Sequence, residues 1–567
     1  MRTTSFLNWF GTNRNKVVCL LSGLVALIAL AGCATKLEGP LVFKCGRFER
    51  ELTSVIPYNN PVQSVTLTAT FTSPLGEKFK VYGFWDGGLT WRVRFSPNQA
   101  GTWTYRTECS ERADYGLNQI EGRFICTAPS GLTRFTQHGH VKVSNNHRYL
   151  THDDLTPFFW LADTAWNGPL RSTDKEWPAY LATRVSQNFS AIQFVGTQWR
   201  AAPDGDINNQ KAYAGQETIY INPAFFQRLD RKVDEIGQAG LLAAPVLLWA
   251  IQSGSNPNVN PGVSLPEDQA IILARYMVAR WGANPVLWIL AGDGDYRGEK
   301  SEKWKRIGRA VFGDIYHAPV SLHPGGRMWV MNDFQNEPWL DLCGYQSAHN
   351  EQPENLKWIT SGPPATDWNK SPVRPFLSLE APYENHHGMD GKAMSADVVR
   401  RAHYWSLLNA PTVGVTYGAH GIWGWDDGSA PPVDHPRSGT PLPWPQALQM
   451  PGAAQMKLLS EFFNSIDFSR LVPAPGLLAV QPGVADATHY IAAAMTDRQD
   501  LAVVYVPADT MVQLKPAVVA GIKNSKMTWF NPRTGERHPA TPTVSATACQ
   551  VTTPGTGDWV LLIQANR

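Results

Sequence analysis

Residues 222–249 read NPAFFQRLDRKVDEIGQAGLLAAPVLLW and combine one helix with one apolar strand. Asn222 and Pro223 mark a helix start, because proline at the first helical position has its φ angle preset and lacks only an amide that would be unpaired anyway. Phe226 and Ile236 delimit an apolar helix face, and Gly240 ends the helix. The continuous apolar run 241–249 is typical of a strand covered on both sides. The stretch predicts one helix–strand unit of a parallel sheet.

The same alternation extends in both directions along the chain. Short apolar runs separated by helical patterns occupy residues 158–162, 191–195, 241–249, 286–290, 319–322, 340–345, 375–379 and 413–417. Thr173 and Glu176 have the spacing of a capping box, in which each side chain satisfies a backbone donor of the other's residue. Eight such units predict a (β/α)8 TIM barrel, whose active site lies at the carboxyl ends of the strands.

The sequence on either side of this region has a strand rhythm instead. Residues 65–72 alternate apolar and hydroxyl side chains, and turn signals separate them from a second alternating run at 91–95. Short strands return at 501–505 and 559–562. We therefore predict a multidomain chain with a central (β/α)8 barrel flanked by two antiparallel β-sandwich domains. The predicted domains are a sandwich at 41–130, the barrel at 131–465 and a second sandwich at 466–567.

The composition excludes one large class of function. The 567 residues carry a net charge of +2 without a basic block, so the electrostatic footprint of a nucleic-acid-binding protein is absent from the sequence. The 22 tryptophans exceed ordinary usage. Tryptophan in such numbers suggests sugar binding, although a packed core uses the same residue.

The first 32 residues have the features of a signal peptide. Basic residues precede an apolar stretch, 17–31, that is too short to span a bilayer comfortably. The segment ending at Cys33 resembles the bacterial lipobox, which implies lipidation of Cys33, a tether at 33–40 and, because Ala34 is not aspartate, sorting to the outer membrane. The alternative is an ordinary signal peptide with an incidental cysteine. We expect a lipid-anchored protein of the bacterial cell envelope.

Five further cysteines follow Cys33, and their spacing does not indicate a zinc site. Cys109 and Cys126 lie within one predicted domain and are close enough in sequence to form a disulfide in an oxidising compartment. The connectivity is left open. The sequence predicts no cofactor.

Acidic, histidine and aromatic residues collect where the predicted strands end. Asp163 and Trp166 follow the first strand, Trp249 ends the third, Asp293 and Asp295 follow the fourth, Glu380 and Glu384 follow the seventh, and Tyr417, His420 and Trp423 follow the eighth. Hydrolysis of a glycosidic bond requires one carboxylic acid to protonate the leaving oxygen and a second carboxylate to attack or stabilise the sugar. Asp295 is expected to be a cap or loop residue. Glu380 follows an apolar strand, where an unpaired carboxylate is costly to bury without a use.

Four stretches at these strand ends carry a family resemblance: residues 160–166 (WLADTAW), 288–293 (WILAGD), 380–384 (EAPYE) and 416–423 (TYGAHGIW). They resemble the apiosidase-like glycoside hydrolase family, and the flanking regions resemble its N-terminal partner and a C-terminal partner of the collagen-binding type. The resemblance implies a retaining glycosidase in which Asp293 is the acid/base and Glu380 the nucleophile. Ala291 and Pro382 depart from the family pattern, so release of apiose is one candidate activity among several.

The other residues of the predicted site are assigned to substrate binding. Asp163, Gln193, His349 and Tyr417 are expected to bind sugar hydroxyl groups, and the faces of Trp166, Trp249 and Trp423 to contact the sugar ring, with Glu384 and His420 beside them. The expected substrate is a plant or microbial polysaccharide or oligosaccharide, from which a terminal sugar is released. Membrane attachment through Cys33 is the second expected interaction.

Two alternatives remain. A metal-dependent hydrolase is suggested by His138 and His140, since residues two apart on a strand point to the same side and can share a metal ion. The following sequence favours a hairpin at the bottom of the barrel instead. The other alternative is a catalytically inactive surface lipoprotein that binds glycan or matrix through its sandwich domains.

Overall fold

The structure is a computed structural model that describes residues 39–565, except 255, 389, 434 and 523. The predicted signal peptide and the lipidation site Cys33 lie outside the described residues. None of the helices in the described part of the chain has the length and apolar character that a membrane span needs.

The described residues before 131 form one β-rich region. Its strands are β1 (Leu41–Phe43), β2 (Phe48–Thr53), β3 (Leu67–Thr72), β4 (Lys78–Gly87), β5 (Thr90–Phe95), β6 (Gly101–Cys109) and β7 (Glu121–Thr127). They are joined in the order β1-β7-β6-β3-β4-β5-β2. The ring of Phe48 on β2 stacks on that of Phe124 on β7, with centroids 4.2 Å apart, so the two ends of the sheet cover each other. The pairing of β1 with β7 is parallel, which corrects the prediction of a purely antiparallel arrangement.

The central region contains a barrel-like parallel sheet. Its strands and the short hairpins around them are β8 (Val141–Val143), β9 (Leu150–His152), β10 (Pro157–Phe158), β11 (Trp160–Thr164), β12 (Ala191–Val195), β13 (Tyr213–Ala214), β14 (Tyr220–Ile221), β15 (Leu242–Trp249), β16 (Trp288–Gly294), β17 (Val320–Pro324), β18 (Cys343–Gln346), β19 (Phe376–Glu380) and β20 (Thr412–Tyr417). The sheet order is β17-β16-β15-β12-β11-β20-β19-β18. The amides of Asp341 and Leu342, just before β18, donate to the carbonyl of Val320 on β17 and join the two ends of the sheet.

Each apolar run predicted for the barrel overlaps one of these parallel strands. The prediction for residues 191–195 coincides with β12, whereas β16 begins two residues later than predicted and continues to Gly294. The extension matters because it places Asp293 within the strand. A strand can end in polar residues there because its last side chains face the open mouth of the barrel.

Most of the helices lie between the parallel strands, and the others precede or follow them along the chain. The described α-helices are α1 (Pro61–Ser64), α2 (Arg134–His138), α3 (Gly168–Arg171), α4 (Glu176–Ser186), α5 (Pro223–Gln238), α6 (Pro261–Ser264), α7 (Glu267–Trp281), α8 (Lys300–Phe312), α9 (Met331–Phe334), α10 (Pro353–Ser361), α11 (Pro363–Asp367), α12 (Ala396–Asn409), α13 (Trp444–Ala447), α14 (Pro451–Asn464) and α15 (Pro516–Gly521). The capping box at α4 is formed, since the Thr173 amide donates to Glu176 Oε2 at 2.8 Å and the Glu176 amide donates to Thr173 Oγ1 at 3.2 Å. Phe226 and Ile236 of α5 are fully buried, as predicted.

A second β-rich region follows α14. Its strands are β21 (Leu471–Pro473), β22 (Ala492–Thr496), β23 (Leu501–Val506), β24 (Met511–Leu514), β25 (Ser525–Phe530), β26 (Arg537–Pro539), β27 (Thr543–Val544), β28 (Cys549–Thr552) and β29 (Trp559–Ala565). They form a sheet of order β21-β22-β23-β29-β25-β26 and a smaller sheet of order β24-β28-β27. Trp529 and Trp559 are buried in the core of this region.

Buried ion pairs attach both β-rich regions to the central helices. Arg94 on β5 donates to Asp230 on α5 at 2.9 Å, and Arg280 on α7 donates to the same carboxylate at 2.7 Å. On the other side, Arg400 on α12 donates to both oxygens of Asp558, at 2.6 and 2.7 Å. These ion pairs fix each β-rich region in one orientation against the helices, because another orientation would leave buried charges unpaired at a high cost in free energy.

The cysteines within the described residues, Cys45, Cys109, Cys126, Cys343 and Cys549, are free thiols. Cys109 and Cys126 are therefore unbridged, and the disulfide considered from their spacing is not formed. Both are buried in the core of the N-terminal β-rich region, where burial raises the thiol pKa to about 11. They fill space there as small apolar groups.

Candidate active site

A cleft of about 90 Å³ opens at the carboxyl ends of the parallel strands, which is where a barrel fold places its active site. Its lining consists of Trp166, Trp199, Arg200, Trp249, Asp293, His349, Glu380, Tyr383, His386, Trp423 and His435. The structure thus brings together the two acids predicted to be catalytic, the three tryptophans predicted to contact sugar, and His349.

Asp293 occupies the end of β16 in an unusual backbone conformation. Its φ angle is +47°, which a residue other than glycine rarely adopts. The side chain is held in the cleft by two neighbours: Gln346 Nε2 lies 3.3 Å from Oδ1, and Arg200 Nη2 lies 3.6 Å from Oδ2. Backbone strain of this kind concentrates at functional sites, where the surrounding structure enforces it.

Glu380 is the last residue of β19, and each of its carboxylate oxygens faces an imidazole. His349 Nε2 lies 2.5 Å from Oε1, and His323 Nε2 lies 3.0 Å from Oε2. His349 comes from the loop after β18, whereas His323 belongs to β17 and is fully buried. The carboxylate is therefore contacted from a loop and from a neighbouring strand at once, with only 6% of Glu380 exposed.

The two acids have opposite pKa shifts. Burial, together with the negative charge of Glu380, raises the pKa of Asp293. Burial by itself would also raise the pKa of Glu380, but the hydrogen bonds and charge of His323 and His349 outweigh it and hold that pKa well below its usual range. One carboxyl group is thus biased toward its protonated form and the other toward its ionised form, which is the arrangement that separates an acid from a nucleophile.

Aromatic side chains form the walls of the cleft. The rings of Trp166 and Trp249 meet edge to face with centroids 5.3 Å apart, and the centroid of Trp199 lies 4.5 Å from that of Trp249. Trp166 Nε1 donates to the Tyr383 hydroxyl at 3.1 Å. Burial and the charge of Glu380 raise the pKa of Tyr383, so its hydroxyl remains protonated. The walls offer apolar ring surface of the kind that packs against the C–H faces of sugars.

Asp163 does not line the cleft. It is fully buried, and its Oδ2 accepts hydrogen bonds from Arg184 Nε at 2.6 Å and from the Tyr180 hydroxyl at 2.5 Å. Both partners belong to α4. Because neighbouring side chains of a strand point to opposite faces, Asp163 faces the helix layer rather than the barrel mouth. The substrate-binding role expected from its position is therefore corrected to a structural one.

Gln193, Glu384 and Tyr417 are also engaged in the protein interior. Gln193 Nε2 donates to the Leu379 carbonyl at 3.0 Å inside the barrel. Glu384 Oε2 accepts hydrogen bonds from the Tyr417 hydroxyl at 2.5 Å and from the Gly452 amide at 3.0 Å. Gly452 is in the first turn of α14, so Glu384 satisfies a free backbone donor at a helix start. The expectation that these three side chains bind substrate is corrected accordingly.

His420 and Asp295 lie near the cleft without lining it. The Nδ1 atom of His420 lies 3.1 Å from the Asn385 carbonyl and its Nε2 atom 3.2 Å from Ser438 Oγ, so both ring nitrogens are occupied. This corrects the expected contact of His420 with substrate. Asp295 pairs with Arg297 at 2.8 Å and with Lys300 at 3.2 Å, which agrees with its interpretation as a loop residue.

Sequence reasoning missed Trp199, Arg200, His323, Tyr383, His386 and His435. His323 directly follows the predicted strand 319–322, and Tyr383 lies inside the motif 380–384, so the position of each at a strand end could have marked it as a site residue. Arg200 and His435 are on long loops without a pattern. His386 is neutral because burial, and then the neighbouring imidazoles, lower its pKa to about 2.

The two histidines considered for a metal site diverge. His138 Nδ1 lies 2.7 Å from Asp154 Oδ2, whereas His140 Nε2 lies 3.0 Å from Ser96 Oγ. His138 is in α2, and β8 begins only after His140, so the two are not on one strand. Among the described residues, no group of three or more potential ligands is arranged to hold a metal ion. The predicted hairpin is present as β8 and β9.

Three family models match successive parts of the chain. A profile of a domain of unknown function, DUF5060, matches residues 42–110, and a collagen-binding-like domain profile matches residues 472–564. Comparison with curated proteins gave no significant match.

Solved structures show the same fold. One glycoside hydrolase structure covers 77% of this chain and 99% of its own, with 21% identity and a TM-score of 0.66. A glycoside hydrolase family 5 structure from Bacteroides vulgatus ATCC 8482 covers 76% of this chain and 94% of its own, with 20% identity and a TM-score of 0.64. The profile "Apiosidase-like, catalytic domain" matches residues 144–470, more than half of the chain and all of the parallel strands. The chain therefore belongs to the apiosidase-like family.

Proposed function

We propose that the protein is a retaining glycoside hydrolase in which Asp293 is the acid/base and Glu380 the nucleophile. The observation that carries the proposal is the pair of carboxyl groups with opposite pKa shifts in one tryptophan-walled cleft. Family membership supports the reaction class, and the pKa shifts support the division of roles between the two acids.

In the first step, the ionised Glu380 attacks the anomeric carbon of the bound sugar. The bond between that carbon and the leaving oxygen breaks, and protonated Asp293 gives its proton to this oxygen. His323 and His349 hold both oxygens of Glu380, so the attacking group is oriented before substrate arrives. The product of the step is a glycosyl ester on Glu380 and an ionised Asp293.

In the second step, esterification has removed the negative charge of Glu380. One cause of the raised pKa of Asp293 is therefore gone, while Arg200 at 3.6 Å continues to favour its ionised form. Asp293 then accepts a proton from water as the water oxygen attacks the anomeric carbon. The ester bond breaks, Glu380 leaves as a carboxylate, and the sugar departs with its original configuration.

The size of the cleft bears on the substrate. A cavity of about 90 Å³ is small compared with the roughly 300–1,000 Å³ usual for binding sites, which favours one terminal sugar over a long chain segment. We propose exo-acting release of a terminal sugar from a plant or microbial glycan, with apiose as one candidate. The catalytic unit proposed is a (β/α)8 barrel at 131–465, flanked by β-sandwich domains at 41–130 and 466–567.

The test is product release from a panel of plant and microbial polysaccharides, with Glu380→Gln beside the wild type and released sugars identified by chromatography and mass. Proton NMR of the first product supplies the anomeric configuration, and mass spectrometry of denatured enzyme after a single turnover detects the glycosyl ester. One released sugar, lost in the variant, supports the proposal. Inversion would overturn the retaining mechanism, and glycan binding by both proteins without turnover would assign a binding function instead.

The cellular location is a separate proposal. We propose that cleavage before Cys33 and lipidation of that residue anchor the protein in the bacterial envelope, because the segment ending at Cys33 resembles the bacterial lipobox. The mature chain has a net charge of 47 − 48 = −1 and no basic segment to hold it on anionic lipid, so membrane attachment rests on Cys33 in this proposal. Expression of Cys33→Ala should move the protein from the membrane fraction to the soluble fraction. A protein that stays in the membrane fraction would contradict the anchor.

A further inference from the structure

A second cavity, larger than the catalytic cleft, lies at the opposite end of the parallel strands. Its volume is about 260 Å³, and we refer to it as the lower cavity. Its walls come from both the N-terminal β-rich region and the central region, including Tyr82, His140, Trp288 and Tyr316. A single water molecule needs only about 10–15 Å³ of such space, so the lower cavity has room for a small molecule.

The two regions meet around the lower cavity through specific contacts. The amide of Tyr316 donates to the Lys80 carbonyl on β4 at 2.7 Å, and the Tyr82 hydroxyl donates to the Ala310 carbonyl on α8 at 3.2 Å. Arg94 anchors the same seam through Glu49 and Asp230. The lower cavity is therefore enclosed by an interface that specific hydrogen bonds and ion pairs hold together.

The charged groups Arg94 and Lys142 of the wall have carboxylate partners within the protein. Arg94 is engaged by two carboxylates at 2.7 and 2.9 Å, and Lys142 Nζ lies 3.8 Å from Asp153 Oδ1. Burial lowers the pKa of His140 and raises that of Asp341, so both tend to be neutral. A charged ligand would find no unpaired counter-charge among these groups. The wall fits an uncharged ligand.

The polar groups of the wall suit hydroxyl groups, which donate and accept at once. Ser96 and His140 form a hydrogen-bonded pair at 3.0 Å. Asp153 Oδ2 accepts from the His140 amide, and Asp341 Oδ2 accepts from the Val320 amide, both at 2.9 Å. Each of these carboxyl groups has a second oxygen that accepts no hydrogen bond within the described residues.

An aromatic ring at the rim completes the arrangement. Tyr316 is 45% exposed, and its ring is held edge to face by Phe79 at a centroid distance of 4.9 Å. An exposed, immobilised aromatic face beside hydrogen-bonding groups is the combination that packs against a sugar ring. We propose that the lower cavity binds one ring of a neutral sugar, at a site separate from the catalytic cleft. The proposal requires no turnover and is independent of the reaction at Glu380.

Hydrogen–deuterium exchange tests the proposal because it reports each site separately. D-xylose, L-rhamnose and D-galactose are added in turn to the full chain, with D-galacturonate as the charged comparison. At least one neutral sugar should slow exchange in peptides covering residues 140–143 and 315–319, and galacturonate should do so less. The proposal would be overturned if protection were confined to peptides that carry cleft residues such as Trp199, His349 and Tyr383. It would also be overturned if only galacturonate gave protection, or if no sugar did.

Two variants test the wall itself. Tyr316→Ala removes the exposed ring, and Val143→Phe narrows the space from a half-buried position on β8. Tyr316→Ala should raise the sugar concentration needed for half-maximal protection about tenfold, which corresponds to the loss of roughly one aromatic contact. Val143→Phe should also raise it, because less room remains for the sugar ring. Tyr316→Phe is the matched control and should behave like the wild type. Unchanged protection in both Tyr316→Ala and Val143→Phe would place the ligand elsewhere.

Discussion

His349 Nε2 lies 2.5 Å from Oε1 of Glu380 and thereby links the loop after β18 to the end of β19. The contact does two things. It orients the carboxylate, and it favours the ionised form over the protonated form in a position where burial alone would do the reverse. The nucleophile of the proposed reaction is therefore kept ionised by its neighbours and not by exposure to water.

Removal of His349 should shift the acidic limb of the pH–rate profile. In His349→Ala the pKa of Glu380 rises, because one of the two groups that lower it is gone while burial remains. Since the nucleophile must be ionised, the acidic limb of kcat/KM should move to higher pH, with a lower plateau from the lost orientation. The control is His489→Ala, a surface histidine of the C-terminal region. An acidic limb that stays in place would remove His349 from the control of Glu380.

Two glutamates four residues apart should respond differently to the same substitution. Glu380→Gln should abolish most turnover and leave the fold intact, because it removes the attacking charge at constant volume. Glu384→Gln should keep turnover and leave the thermal midpoint near that of the wild type, because the glutamine carbonyl oxygen can still accept from Tyr417 and from the Gly452 amide at the start of α14. Product release and calorimetry on both variants separate the roles. Loss of turnover in Glu384→Gln at a temperature where it is folded would contradict this division.

Periodicity predicted the parallel strands well, because a strand covered on both faces must be apolar throughout. The run 191–195 coincides with β12, and the acids at the ends of β16 and β19 lie in one cleft. The side-chain directions were harder to predict. Asp163 and Gln193 also belong to parallel strands, but strand pleating turns Asp163 toward the helices and Gln193 into the barrel interior.

The rest of the site depends on information that a local pattern does not contain. Arg200 and His435 reach the cleft from loops whose paths are set by tertiary contacts, so their neighbours in sequence give no signal. The parallel pairing of β1 with β7 has the same origin, because strand direction is decided by a partner more than 80 residues away. Patterns of neighbouring residues predict individual strands and helices, whereas the positions of loops in the cleft depend on contacts between residues far apart in sequence.

The ion pair between Arg400 and Asp558 should be essential for docking of the C-terminal region. Asp558→Ala leaves the Arg400 guanidinium, which is almost fully buried, without its bidentate partner. Loss of one member of a buried pair costs about 3–5 kcal/mol, and the remaining exposed partner of Arg400, Asp397 at 2.7 Å, should offset part of that cost. Urea unfolding should show that loss. The control is Glu267→Gln, which breaks an exposed pair with Arg306 and should change stability little. Equal effects of the two substitutions would show that burial does not matter at this seam.

Asp293→Asn should stabilise the protein at neutral pH while abolishing most turnover. The pKa of Asp293 is raised in the folded state by burial and by Glu380, so the folded protein holds this proton at pH values where the unfolded chain has released it. Stability then falls as the pH rises from the unfolded pKa, about 3.9, through the folded pKa. Asparagine has no ionisable carboxyl group, so the variant does not lose this stability as the pH rises. The thermal midpoint of the variant should therefore exceed that of the wild type at neutral pH, and the difference should vanish under acid conditions.

Asp295→Asn is the matched control for this pH dependence, two residues along the chain. Hydrogen bonds from Arg297 lower the pKa of Asp295, so its charge stabilises the fold above the unfolded pKa and the sign of the effect is reversed. Its removal should leave turnover in place and should not raise the midpoint. The comparison is made by calorimetry from acid to neutral pH on all three proteins. A lower midpoint for Asp293→Asn than for the wild type at neutral pH would mean that the Asp293 carboxylate is stabilised in the cleft, and the role of acid would have to pass to another residue.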